Sequence, residues 1–230
     1  MSNQAKPVRT VRSYVRREGR ITRAQQRALA QLWHEYGIDD EPVVLDFARV
    51  FARERPVEME IGFGDGEVLC ELAQRHRDTN YLGIDVYRPG IGSLLLQLQR
   101  QQITNVRVIC ADATLVVTER VPASSLDAVY LLFPDPWPKK RHHKRRLLQQ
   151  TFLDQLRERL RPGGCLHIAT DWQAYAEHIL THAAQVPGLT RIVADGSRGP
   201  RPDERPRTRF ERRGQRLGHP TWELLFQRTA

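Results

Sequence analysis

Short apolar runs alternate with stretches of helical character through most of the chain. The segments VEMEIGF (57–63), NYLGIDV (80–86), VRVICAD (106–112), LDAVYLLF (126–133) and CLHIATD (165–171) predict strands. Between them, the stretches near 66–76, 89–102, 144–160 and 172–183 predict helices. Strand–helix alternation of this kind predicts an α/β fold, a mostly parallel central sheet of about seven strands with helices on both faces. Residues 22–36 place Ala28, Leu32 and Tyr36 at i, i+4 spacing, a helix ahead of the first strand. TWELLFQR (221–228) predicts the last strand. Residues 1–20 carry charge without an apolar period and predict a disordered arm. GSRGPRPDERP (196–206) predicts a mobile loop within a basic loop over 196–216. The expected organisation is a basic arm over 1–20 and one domain over 21–230.

Composition narrows the class. A chain of 230 residues that is 40% hydrophobic suffices for one well-buried core. No run approaches the roughly 18 apolar residues of a membrane span, and the basic N-terminus has no apolar signal core. Membrane association is not expected. Cys70, Cys110 and Cys165 form no CxxC pair, which suggests buried small side chains in a reducing, cytoplasmic setting. The net charge of +9 is unevenly spread. Seven Lys/Arg lie in 6–23, six in 139–146 and eight in 198–216, against four acids, while the remaining chain carries 15 bases and 23 acids. Three basic patches on an acidic body are a footprint for a polyanion, with nucleic acid the first candidate.

The stretch EMEIGFGDGEVL (58–69) predicts a strand, a turn through Gly62, Gly64 and Gly66, and a helix start. The spacing is GxGxG, and Glu60, Asp65 and Glu67 surround the turn. A pyrophosphate there would meet carboxylates, so a cationic ligand without phosphate fits better than a dinucleotide. S-adenosyl-L-methionine, with its sulfonium and ammonium, is such a ligand. Asp85 follows the next strand, where a ribose-binding acid belongs, and Asp112 follows the one after, where it can take an adenine amino group. In open α/β sheets ligands bind beyond the carboxyl ends of the strands. That rule aligns Glu60, Gly62, Gly64, Asp85, Asp112, Asp135 and Asp171 along one edge. A single strand-end acid is as often a helix cap or turn residue. Five in succession are harder to explain that way.

EIGFGDG, GIDVYRPGIG (83–92), FPDPWPKKRHHKRR (133–146), ATD (169–171) and TRFERRGQRLGH (208–219) together resemble the bacterial tRNA (guanine-N7-)-methyltransferase family. The likeness runs from about residue 13 to the end, and the proline–tryptophan–basic segment with the downstream TxFE is its specific part. The resemblance implies a Rossmann-like class I methyltransferase fold. It also implies methyl transfer from S-adenosyl-L-methionine to N7 of guanosine 46 in the tRNA variable loop, leaving S-adenosyl-L-homocysteine. It implies cofactor contacts at Glu60, Gly62, Gly64, Asp85, Asp112 and Asp135, with Asp135 the active-site acid. Substrate contacts are implied at Lys139, Asp171, Thr208, Arg209, Phe210 and Glu211, and RNA contacts at Arg141, His142, His143, Lys144, Arg145 and Arg146. Many members have Glu where this chain has Asp85, a methylene shorter. The expected partner is tRNA, with a monomer or homodimer and no obligatory protein partner.

Guanine N7 has a lone pair and no proton, so methyl transfer there demands orientation rather than a base. Asp135 is expected to aim and stabilise the purine. Guanine's N1–H and N2–H donors suit a carboxylate, and Asp171 and Glu211 are the candidates, although Glu211 equally suits a local ion pair with Arg207 or Arg212. Trp137 suits base stacking and core filling alike. His142 and His143 lack metal-ligand spacing, so no metal is expected. Two rivals are a methyltransferase for exocyclic amines, whose loops often read N/D-P-P-aromatic, and a non-catalytic RNA-binding module on the same scaffold.

Overall fold

The structure, a computed structural model, describes residues 19–192 and 205–229. The expected disordered arm thus lies outside the described residues except for Gly19 and Arg20, as does the expected mobile loop except for Arg205 and Pro206.

The chain opens with α1 (Arg23–Tyr36), two-residue β1 (Gly37–Ile38) and short α2 (Phe47–Phe51). Then come β2 (Val57–Ile61), α3 (Glu67–Arg75), β3 (Asn80–Ile84), α4 (Arg88–Gln101) and β4 (Val106–Ile109). A short α5 (Ala113–Leu115) runs into a π-helical turn (Val116–Arg120) before β5 (Leu126–Leu132). A 3₁₀ turn (Lys140–Arg145), α6 (Gln150–Arg159), β6 (Leu160–Thr170), α7 (Gln173–Ala183), β7 (Leu189–Arg191), α8 (Arg209–Arg216) and β8 (Trp222–Arg228) complete it. Among the described residues the strands form one sheet in the order β1-β4-β3-β2-β5-β6-β8-β7. All pairings are parallel except those of β8 with β6 and β7.

The central strands are apolar along nearly their whole length because helices cover both faces. Every residue of NYLGI is buried. One core packs Met59, Ile61, Val129, Leu131 and Ile168 against Phe152, Leu156 and Ile179. The other packs Leu69, Tyr81, Leu94 and Leu98 with Ala28, Leu32 and Tyr36 of α1. The start of α1 is fixed by a reciprocal cap: Thr22 Oγ1 accepts from the Gln25 amide, and Gln25 Oε1 accepts from the Thr22 amide. Glu60, a buried acid inside a central strand, is where this apolar pattern breaks.

Two expected elements are corrected. The helix expected over 144–160 begins at Gln150, after a 3₁₀ turn and an extended Arg146. Gln149 Nε2 donates to the carbonyls of His143 and Arg146 and holds that stretch open. The basic loop expected over 196–216 contains α8, capped by Thr208. Of the cysteines, Cys70 is buried as expected, while Cys110 and Cys165 are half-buried.

Candidate active site

Chain order reverses at β2, which pairs with β3 on one side and β5 on the other. The loops leaving β2 and β5 therefore part there and leave a crevice beyond the strand ends. The glycine loop lines one side. Gly62, Gly64 and Gly66 all have positive φ, and a Cβ placed on Gly62 or Gly64 would meet no atom within 4 Å. The loop needs glycine for its backbone, and the space above it is free. Its other face is close-packed: a Cβ on Gly90 of α4 would lie 2.2 Å from the Gly64 carbonyl oxygen.

Asp85, directly after β3, ties this loop down. Its carboxylate accepts from the Gly64 amide at 2.9 Å and the Tyr87 amide at 2.8 Å. Burial raises its pKa, against these amide hydrogen bonds. Glu60 lies below the loop, buried, with Oε2 lacking a hydrogen-bond partner. Burial, and next the Asp85 charge, push its pKa up to about 8, opposed by Arg205. Asp112 caps α5, its Oδ1 accepting from the Thr114 amide and hydroxyl at 2.9 and 2.6 Å. Gly19 packs on Tyr87 beside this edge.

The loop after β5 carries Asp135, which is solvent-exposed. Phe133 and Trp137 on either side both have positive φ, at 56° and 45°, a conformation bulky residues rarely take. Pro134, Pro136 and Pro138 restrict the rest. Trp137 is half-buried and makes contacts within its own loop. The Arg145 guanidinium lies 5.0 Å from its ring and His142 meets it edge-on. Arg146, expected among the RNA contacts, is buried. It donates to the carbonyls of Pro136 and Ala174 and stacks on Tyr175, 5.0 Å from the ring centroid. That arginine is an internal brace for the loop and is not available to a phosphate. Lys139, Arg141 and Lys144 are exposed, while His142, His143 and Arg145 are partly so. Partial desolvation and the charges of Arg141, Arg145, Lys139 and Lys144 lower the His142 pKa.

Helix α8 closes the site from the far end of the sequence. Phe210, 54% exposed, meets the Phe133 ring at 5.2 Å. Arg209 approaches Asp65 at 3.9 Å and Arg212 pairs with Glu67 at 2.6 Å. The acids around the glycine loop are thus partly neutralised from another element. Glu211, expected either to read guanine or to pair with Arg207 or Arg212, has Arg205 as a buried partner. It is 2% exposed and both its oxygens accept from Arg205, at 3.0 and 3.2 Å. Thr208 Oγ1 accepts from the Glu211 amide and Glu211 Oε2 accepts from the Thr208 amide, a capping box. Asp171, half-buried directly after β6, lines an open depression of about 430 Å³ with Trp172, Glu177 and Trp222.

Sequence reasoning missed Arg205 and Phe133. The Thr-x-x-Glu spacing of 208–211 was a visible helix-start signal, but nothing local marked Arg205 as its partner.

A parallel sheet with a reversal at β2, a glycine loop there and acids at successive strand ends define a class I methyltransferase. Solved structures share the fold. The 16S rRNA methyltransferase KamB has a TM-score of 0.59 at 16% identity, covering 81% of this chain and 95% of that one. A 16S rRNA (adenine(1408)-N(1))-methyltransferase from Catenulisporales acidiphilia, crystallised with cosubstrate, has a TM-score of 0.54 at 17% identity, covering 84% and 93%. A family model described as "Putative methyltransferase" matches residues 54–224. The tRNA (guanine-N(7)-)-methyltransferase of Vibrio cholerae serotype O1 (strain M66-2) is 47% identical over 100% of this chain and 96% of its own length. The enzyme of that name from Aeromonas hydrophila is 48% identical over 99% and 96%. The chain belongs to the bacterial tRNA (guanine-N7-)-methyltransferase family.

Proposed function

We propose that the protein transfers a methyl group from S-adenosyl-L-methionine to N7 of guanosine 46 in the variable loop of tRNA, in the cytoplasm. The observation that carries this reading is the meeting, at one sheet edge, of an open glycine cradle over an unpartnered buried Glu60 with the Asp135 loop and its exposed cations. The cradle and the orphaned carboxylate oxygen suit a cationic ligand. Glu60 would take its ammonium end, the backbone of Gly62 and Gly64 would line it, Asp85 would hold the ribose, and Asp112 would use its spare oxygen on the adenine amino group. When bound, the cofactor supplies an electrophilic methyl group on a sulfonium.

The chain's own residues bring the base to that methyl group. Lys139, Arg141, Lys144 and Arg145 grip phosphates, with His142 and His143 beside them, and set register without reading sequence. Asp171, at the rim of its open depression, accepts from the guanine N1–H and N2–H. Phe210 offers a stacking face, worth about 1–3 kcal/mol for an unpaired base, and Arg209 adds a phosphate contact. Thr208 and Glu211 keep that face in place. Positive charge grows on the purine during transfer. Asp135, in a loop stiffened by three prolines and braced by Arg146, both stabilises that charge and aims the base. It has no proton to remove from N7.

The test is methylation of unmodified tRNA with labelled cofactor, followed by nucleoside mapping. N7-methylguanosine at position 46 is the expected product. Label on an exocyclic amine, or tight tRNA binding without transfer, would overturn the assignment.

A further inference from the structure

We infer that Arg205 is a positioning residue for the RNA substrate, fixing the Thr208–Glu211 segment to the sheet so that Arg209 and Phe210 face the crevice. The inference deepens the proposed function and rests on it. Helix α8, with the sequence RFERRGQR, buries only Glu211, and its one large apolar side chain, Phe210, stays more than half exposed, so apolar packing contributes little to holding it. Its anchor is ionic. The Arg205 side chain is wholly buried and forks onto both oxygens of Glu211. It also contacts Glu223 of β8, which in turn meets His167 of β6 at 3.2 Å. One guanidinium thus ties the first turn of α8 to two strands.

Burying a guanidinium is costly unless carboxylates meet it, and apolar side chains of equal volume commonly hold an element as well. What the fork adds is direction, because two parallel hydrogen bonds fix both the position and the rotation of the carboxylate they grip. Rotation matters on a helix. Successive residues point about 100° apart, so fixing Glu211 inward sends Phe210 towards Phe133 and Arg209 towards Asp65. Glu211 then acts through Arg205, not by touching the base.

The test uses the full chain and compares R205M, R205K, E211Q and the R205M/E211Q pair. Steady-state tRNA kinetics are measured alongside thermal midpoints. R205M is expected to raise KM for tRNA about tenfold or more while kcat at saturation stays within about threefold. R205K, which keeps the charge but not the fork, should recover part of that loss. The double variant should be no worse than the worse single variant, since both remove one contact. Multiplying defects would overturn the inference, because they would mean that Glu211 meets the substrate independently. So would a parental KM in R205M, or a fall in kcat that tracks the thermal midpoint. If R205M does not fold, the R205K/E211Q comparison decides by the same rule. A parent protein inactive on tRNA would instead sink the functional reading, and the inference with it.

Discussion

Asp135 and Arg146 come from the same basic, proline-rich stretch and have opposite fates. Asp135 is exposed at the crevice, and Arg146 is buried beneath the loop that carries it. Asp135→Asn should keep the fold and lower kcat about a hundredfold, the usual scale for losing one electrostatic contact to a transition state. Stopped-assay kinetics would check this. Arg141→Ala and Arg146→Met should separate cleanly. The first should lower the salt dependence of tRNA binding by about one released counterion, and the second should leave that slope unchanged while reducing turnover. Titrations at several salt concentrations read the difference. Glu60 gives a pH signature. With its pKa raised to about 8, it holds its proton at neutral pH in the free protein. A bound cation favours the carboxylate, so cofactor affinity should rise as pH increases towards 8 and level off above it, and Glu60→Gln should flatten the profile. Linkage runs the other way for stability. The folded state binds the extra proton above the ordinary carboxylate range, so the free protein should lose stability as pH rises towards 8.

At the scale of elements, hydrophobic period reported what packing enforces. The central strands and helices α1, α3, α4 and α7 were legible because buried side chains recur at fixed intervals. Segments too short for a period were not: β1, α2, α5 and β7 escaped. Helix α8 escaped for another reason. It is polar, so its only sequence mark is the Thr208–Glu211 capping box, and its anchor is Arg205, which links Glu211 to the distant Glu223. Thr208→Ala should remove about 1 kcal/mol from that helix start. Amide exchange across α8 should then quicken about fivefold, with the global thermal midpoint little changed. The surface pair Arg212–Glu67 should matter less, because exposed ion pairs contribute about 0–1 kcal/mol.

At the scale of the molecule, basic segments on an acidic body make RNA binding an electrostatic event. Raising salt from about 50 to about 200 mM should weaken tRNA binding about a hundredfold or more if some five phosphates are contacted, and filter binding would show it. The sequence alone determined the central strands, their acidic edge and the charge distribution, because strand periodicity, glycine-dependent turns and net charge are local or additive properties. Tertiary structure decided which charges are free. Arg146 carries the same formal charge as the rest of its basic run, and Glu211 is an acid set among arginines, yet each is buried against a partner that the fold brings to it: the Pro136 and Ala174 carbonyls for one, Arg205 for the other. Desolvation and pairing depend on what the rest of the chain packs against a side chain, and no local pattern encodes that.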